Sequence, residues 1–137
     1  MIDAVILDTG PLVAFLLANE QHHAWTAERF KELPPNFLTC EPVLTEACFL
    51  LQLEPRAIHQ IERFLEQSWL RLVFQISAEQ GAVMRLMRKY REVPMSLADA
   101  CLVRMSELHE GVPVLTLDRD FQIYRKNGRQ RIPVIMP

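Results

Sequence analysis

Ala4-Val5-Ile6-Leu7-Asp8-Thr9-Gly10-Pro11 is the stretch that decides the fold of this chain. Four apolar residues in a row suit a strand buried on both faces, as in the middle of a parallel sheet. The run stops at a carboxylate, a Thr-Gly turn follows, and Pro11 is well placed to open a helix running towards Ala18. A strand, an acid, a turn and a helix start are thus packed into eight residues.

The same alternation continues along the chain. A helix is expected over His22–Glu32, stopping before Pro34-Pro35, and then a short strand over Phe37–Thr39. Pro42 opens a helix that carries Glu46, Pro55 opens another through Ser68, and Leu70–Phe74 reads as a third strand. Ser77–Tyr90 is amphipathic, with Ala78, Ala82, Val83 and Leu86 inward and Arg85, Arg88 and Lys89 outward. Pro94 and Ser96 introduce a helix bearing Asp99 that ends near Gly111, and Val112–Thr116 and Ile132–Ile135 supply two more strands. This order predicts a three-layer α/β/α sandwich around a mostly parallel sheet. The 137 residues are read as one domain, 1–137, with a substantial core and no internal repeat. No stretch reaches transmembrane length, and the apolar run from Pro11 to Ala18 lacks a basic leader, so a cytoplasmic protein is expected.

Ligands of such sheets gather beyond the carboxyl ends of the strands. Asp8 and Asp118 follow two of those ends, and Glu46 and Asp99 lie in the opening turns of helices, so all four are expected at one rim. Glu46 has Pro42, Val43, Phe49 and Leu50 as its helical neighbours, and Asp99 has Met95, Ser96, Leu102 and Val103. A carboxylate on an apolar face is costly unless it is paired or bound to metal, and no Lys or Arg occupies those positions. One shared Mg²⁺ or Mn²⁺ site resolves all four. Hard oxygen donors suit these ions, and the lack of a Cys/His cluster argues against zinc. Each acid also has a local alternative. Asp99 fits a capping box with Ser96, Asp118 the N-cap of a short helix through Tyr124, and Asp8 an Asx-type hydrogen bond to its own turn. For Glu46 the alternative is a buried ion pair with a distant Arg.

The net charge of −2 hides an asymmetry: up to Ser68 there are 4 basic and 10 acidic residues, and from Trp69 onward 11 and 7. The basic residues of the second half form two groups, Arg85, Arg88, Lys89 and Arg91, then Arg119, Arg125, Lys126, Arg129 and Arg131. They suit contact with backbone phosphates, or else a solvated helix face and a charged tail. Cys40, Cys48 and Cys101 read as buried free thiols. The four histidines fall apart from the acids in sequence, and Trp25 and Trp69 read as core or dimer-contact residues.

Asp8-Thr9-Gly10 after the first strand, Glu46 in Leu44-Thr45-Glu46-Ala47, Asp99 in Ser96-Leu97-Ala98-Asp99-Ala100, and Thr116-Leu117-Asp118-Arg119-Asp120-Phe121 form an ordered set that resembles the PIN domain. The likeness is greatest to the VapC-type ribonucleases, the toxin halves of bacterial and archaeal toxin–antitoxin pairs, and it covers essentially the whole chain. The resemblance implies that Asp8, Glu46, Asp99 and Asp118 are a catalytic, metal-binding quartet, that Thr116 and Thr9 support it, and that Asp120 is a second candidate in the last motif. It further implies a metal-dependent endoribonuclease leaving a 5′-phosphate and a 3′-hydroxyl. Arg119 would lie near the chemistry, and Arg85, Arg88 and Lys89 would hold flanking RNA. The expected partners are a small VapB-like antitoxin and a second copy of the chain, met through apolar side chains of the first two helices. Gly10 departs from the pattern, because many relatives carry Ser or Asn there. A haloacid-dehalogenase-like phosphatase would need an acid at that same position, and a receiver domain an acidic pair before the first turn. The remaining rival is a PIN-like domain that binds RNA or protein with weak or no nuclease activity.

Overall fold

The computed structural model describes residues 2–137. In chain order the elements are β1 (Val5–Leu7), α1 (Thr9–Leu16), α2 (His23–Glu32), β2 (Phe37–Thr39), α3 (Glu41–Leu50), α4 (Pro55–Glu66) and β3 (Leu70–Leu72). There follow α5 (Ile76–Lys89), α6 (Leu97–Leu108), β4 (Val114–Leu115), a 3-10 turn at Arg119–Gln122, β5 (Arg125–Lys126), β6 (Gln130–Arg131) and β7 (Val134–Ile135). Five strands form one parallel sheet in the order β3-β2-β1-β4-β7, with Val5 opposite Phe37 and Ile6 opposite Val114. The expected α/β architecture with a parallel sheet between helices is the one observed.

The apolar run of β1 is buried on both faces because its side chains alternate. Ile6 joins Leu38, Val114 and the inward residues of α5 and α6, including Val83, Leu86, Leu102 and Met105. Val5 and Leu7 face the other way, onto Leu12, Ala57, Ile61 and Phe64 from α1 and α4. Each such fully buried aliphatic side chain contributes about 1.5–3 kcal/mol of transfer free energy. After β1 the chain builds β2 and β3 to one side and returns to lay β4 and β7 on the other, so the boundary between β1 and β4 is the topological switch point.

Several local expectations are corrected. α1 begins at Thr9, with Asp8 as its N-cap, so Pro11 falls inside the first turn, where its missing N–H costs nothing. Ala78 is exposed: Glu79 leaves helical geometry (φ −125°, ψ 16°), so the core-facing Ile76 before it and the buried Val83 and Leu86 after it do not form one stripe with Ala78. In the first two helices Leu12 and Val13 are buried and Phe15 stacks on Phe30 at 4.3 Å, while Phe15, Leu16 and Trp25 stay partly exposed. The most exposed large apolar residues among those described lie at and just after the end of α3, at Phe49, Leu50 and Leu53. The charged stretch after Tyr124 contains an antiparallel hairpin, β5–β6, turned through Asn127 (φ 50°) and Gly128 (φ 84°), two residue types that tolerate the left-handed region. Among the described residues, no helix is long and apolar enough to cross a membrane.

Candidate active site

β1 and β4 are hydrogen-bonded neighbours, so the residues that follow them come together at the switch point. Asp8 N–H still donates to Leu115 O at 3.1 Å, which carries the pairing one residue past the strand and fixes the Asp8 backbone. Asp8 as a whole is only 7 % exposed. Thr9 N–H donates to Asp8 Oδ1 and the Thr116 hydroxyl donates to Asp8 Oδ2, both at 2.7 Å. Thr116 Oγ1 accepts in turn from Asp118 N–H at 2.9 Å. One hydroxyl therefore sets the spacing between the two strand-end acids.

The helices bring the other two. The hydroxyl of Thr9 donates to Glu46 Oε1 at 2.7 Å, joining α1 to α3. Asp99 sits in the first turn of α6, where Ser96 Oγ accepts from Asp99 N–H (3.0 Å) and Asp99 Oδ2 accepts from Ser96 N–H (3.1 Å), a complete capping box. Asp118 caps the 3-10 turn, its Oδ1 accepting from Asp120 N–H at 2.9 Å. The local alternatives for Asp8, Asp99 and Asp118 are thus all real hydrogen bonds, and they do not remove the acids from the site. A carboxylate carries about four acceptor positions, and one or two serve the fold here.

Asp8, Glu46, Asp99 and Asp118 line one pocket of about 360 Å³, together with Thr9, Gly10, Ser96 and Leu117. No Lys or Arg is among those lining residues. Burial pushes the Asp8 carboxyl up to about 7; the Thr116 and Thr9 hydrogen bonds oppose this, and the nearby charges of Asp99 and Asp118 add to it. Asp99 is also raised, first by burial and further by Asp118, against its bonds to Ser96. Asp120 is raised by burial and by Asp118. These are groups that a cation would hold in their ionised form. The all-oxygen donor set fits Mg²⁺ or Mn²⁺, although among the described residues no three His, Cys, Asp or Glu side chains group closely enough to grip an ion as they stand.

Glu46 departs from expectation in one respect. It is exposed, and of its apolar helical neighbours Val43 is buried but Phe49 (68 %) and Leu50 (59 %) are exposed with it, so the apolar face is open on its C-terminal side. At Gly10 an added Cβ would stand 3.4 Å from the side chain of Leu117, which occupies that flank of the pocket. The basic residues do not enter the pocket. Arg119 is exposed beside Asp118, and Arg85 and Lys89 line a separate hollow with Arg104, Glu107, Asn127 and Gly128. Arg88 is exposed on α5. In the second basic group, Lys126 is buried with Glu110 at 3.6 Å, and Arg125 Nη1 donates to the carbonyls of Gln122, Ile123 and Tyr124, so both serve the fold. No histidine lines the pocket. Cys40, Cys48 and Cys101 are free thiols, with Cys40 and Cys101 buried and Cys48 partly exposed.

One contact has no local signal in the sequence. The Tyr124 hydroxyl donates to Asp99 Oδ2 at 3.3 Å, across 25 residues of chain. Tyr124 is fully buried, and burial together with Asp99, Asp120 and Asp118 holds its hydroxyl protonated, well above the ordinary tyrosine range.

The crystal structure of Mycobacterium tuberculosis VapC20, described as a sarcin-ricin loop cleaving toxin, shares this fold. Its TM-score is 0.73 at 21 % identity, over 87 % of this chain and 93 % of that one. A search of curated proteins found no match. The sequence profile of the PIN domain matches residues 5–127, a span that holds all four acids and both of their supporting threonines. The chain therefore belongs to the PIN domain family.

Proposed function

We propose that this chain is a metal-dependent endoribonuclease and the toxin of a type II toxin–antitoxin pair. The observation that carries the reading is the convergence of Asp8, Glu46, Asp99 and Asp118 on one pocket without a basic side chain in its lining. Asp8 and Asp99 would hold Mg²⁺ or Mn²⁺ directly, and Glu46 and Asp118 would complete the cage through water or hold a second ion. When bound, the ion supplies an activated water and neutralises charge on the phosphoryl oxygens. Thr116 and Thr9 keep Asp8 facing the pocket, and Ser96 does so for Asp99. In the reaction a water oxygen forms a bond to phosphorus, the bond from phosphorus to the 3′-oxygen breaks, and that oxygen takes up a proton. The products carry a 5′-phosphate and a 3′-hydroxyl.

RNA would meet Arg119 beside the pocket, with Arg85, Arg88 and Lys89 on α5 as more distant phosphate contacts. A small VapB-like antitoxin would obstruct the acidic rim. A homodimer would draw on partly exposed apolar side chains of the first two helices and on Phe49, Leu50 and Leu53, the most exposed large apolar side chains among the described residues.

The test is cleavage of a panel of structured and single-stranded RNAs by the wild type and Asp8→Asn, with Mg²⁺, Mn²⁺ or EDTA. The expected result is cutting that needs metal and falls on the order of a thousandfold in the variant, since a bound ion supplies several kcal/mol of transition-state stabilisation. Equal background from both proteins, with no metal bound by either, would end the nuclease reading. Metal binding without cutting of any RNA would move the chain to the class of PIN-like binding domains.

A further inference from the structure

Asp99 Oδ2 takes two donors from different parts of the fold. One is Ser96 N–H at 3.1 Å, from the cap of its own helix. The other is the Tyr124 hydroxyl at 3.3 Å, from the segment that also carries Asp118 and Asp120. The Tyr124 ring is fixed by edge contacts to Phe121 (5.2 Å between centroids) and Tyr90 (5.1 Å). Tyr90 in turn accepts from Arg125 N–H at 2.9 Å, so the ring stands in a frame built from α5 and the hairpin. Phenylalanine would fill this buried position without needing a partner. A tyrosine there must satisfy its hydroxyl, and the group it meets is a carboxylate of the pocket.

We propose that Tyr124 is a positioning residue for the metal site: with Ser96 it holds Asp99 Oδ2 and so presents Oδ1 to the ion. This rests on the reading of Asp99 as a metal ligand. The terminal torsion of an aspartate is broad, and one hydrogen bond within the first turn leaves the carboxylate free to swing. A second donor from outside the helix removes that freedom. It also ties α6 to the segment bearing Asp118, so a buried contact links the elements that carry two of the pocket acids. Outer hydrogen bonds of this kind orient ligating groups, and their loss characteristically weakens metal binding.

The experiment compares wild type, Tyr124→Phe, Asp99→Asn and the double variant in the full chain, stripped of metal and titrated with Mn²⁺ by calorimetry and electron paramagnetic resonance. Tyr124→Phe keeps the ring and removes only the hydroxyl. It is expected to weaken Mn²⁺ binding by roughly tenfold, to raise the Mn²⁺ needed for half-maximal RNA cleavage in step, and to leave KM for RNA and the metal-free melting temperature where they were. On top of Asp99→Asn the same change is expected to add nothing, because the two residues act as one unit. Mn²⁺ binding unchanged in Tyr124→Phe would overturn the proposal, as would a loss persisting undiminished beside Asp99→Asn. The double variant decides even where Tyr124→Phe lowers the melting temperature. A wild type that binds no Mn²⁺ removes the metal reading and this inference together; a wild type that binds it, with Tyr124→Phe equal, removes this inference alone.

Discussion

Asp8 and Glu46 share Thr9, whose N–H serves the first and whose hydroxyl serves the second, yet they are held in opposite ways. Asp8 ends a central strand, is 7 % exposed, and has a donor on each oxygen. Glu46 lies on an exposed stretch of α3 and takes one side-chain hydroxyl. The strand side of the pocket is therefore rigid and electrostatically costly, because burying a carboxylate disfavours its charged form. The Glu46 side is cheap and adjustable. A site made this way has one carboxylate that cannot move to meet an ion and another, Glu46, that can close on it, so the stability cost of the function is concentrated at Asp8.

The largest effect that separates the two sides is the response of the metal-free protein to pH. Asp8 titrates near 3.8 when unfolded and is raised to about 7 in the fold. A carboxyl raised on folding contributes stability that is full below its unfolded pKa and is lost as pH rises through its folded one. The metal-free wild type is thus expected to lose a few kcal/mol between about pH 4 and pH 7, with the raised Asp99 and Asp120 adding in the same direction. Asp8→Asn removes the main source of this slope, so at pH 8 it should melt at a higher temperature than the wild type, although it is the variant expected to lose cleavage. Thermal melts in EDTA across that range check both statements, and a wild type with no fall in stability would erase the contrast. Mn²⁺ should restore the wild type at pH 8, because the ion favours the ionised form.

That contrast was only half legible in the sequence. The strand side shows itself through local order: an apolar run, then an acid, then a turn dictates a buried strand with a carboxylate at its end, and the structure places Asp8 there. The Ser96–Asp99 capping box is also a matter of three-residue spacing. Glu46 misleads because Phe49 and Leu50, three and four positions on, imitate a buried helix face. Whether an apolar helical stripe is covered depends on what packs against it, and in α3 that side stays open. The hairpin after Tyr124 was signalled by Asn127-Gly128 but obscured by the surrounding charges, and the burial of Lys126 follows from packing that no local pattern specifies. The bond from Tyr124 to Asp99 is a tertiary contact of the same sort.

Next in size is the removal of the hydroxyl that joins the two strand-end acids. Thr116→Val takes a donor from Asp8 Oδ2 and an acceptor from Asp118 N–H while nearly keeping the side-chain shape. Because the Thr116 bond pulls the Asp8 carboxyl down, its loss should move the pH of half-maximal Mn²⁺ binding upward at any fixed Mn²⁺ concentration. At neutral pH the affinity is expected to fall roughly tenfold. Thr116→Ser, which keeps the hydroxyl, should recover both values. Calorimetric titrations at several pH values decide the matter, and a Val variant weakened equally at every pH would show that Thr116 supports packing and does not tune Asp8.

Glu46→Gln should do least. It deletes a charge while leaving an oxygen to accept from Thr9, and it does so in solvent, where a carboxylate acting through water on a divalent ion about 8 Å away is worth about 1 kcal/mol. The expected loss in Mn²⁺ affinity is therefore about fivefold at low salt, shrinking as salt screens the exposed carboxylate, whereas the deficit of Asp8→Asn should hardly respond to salt. Titrations at two ionic strengths separate these behaviours. If Glu46→Gln matched Asp8→Asn in size and ignored salt, Glu46 would be a direct ligand that moves inward with the ion, and the adjustable side of the pocket would become as rigid in the loaded state as the strand side is without metal.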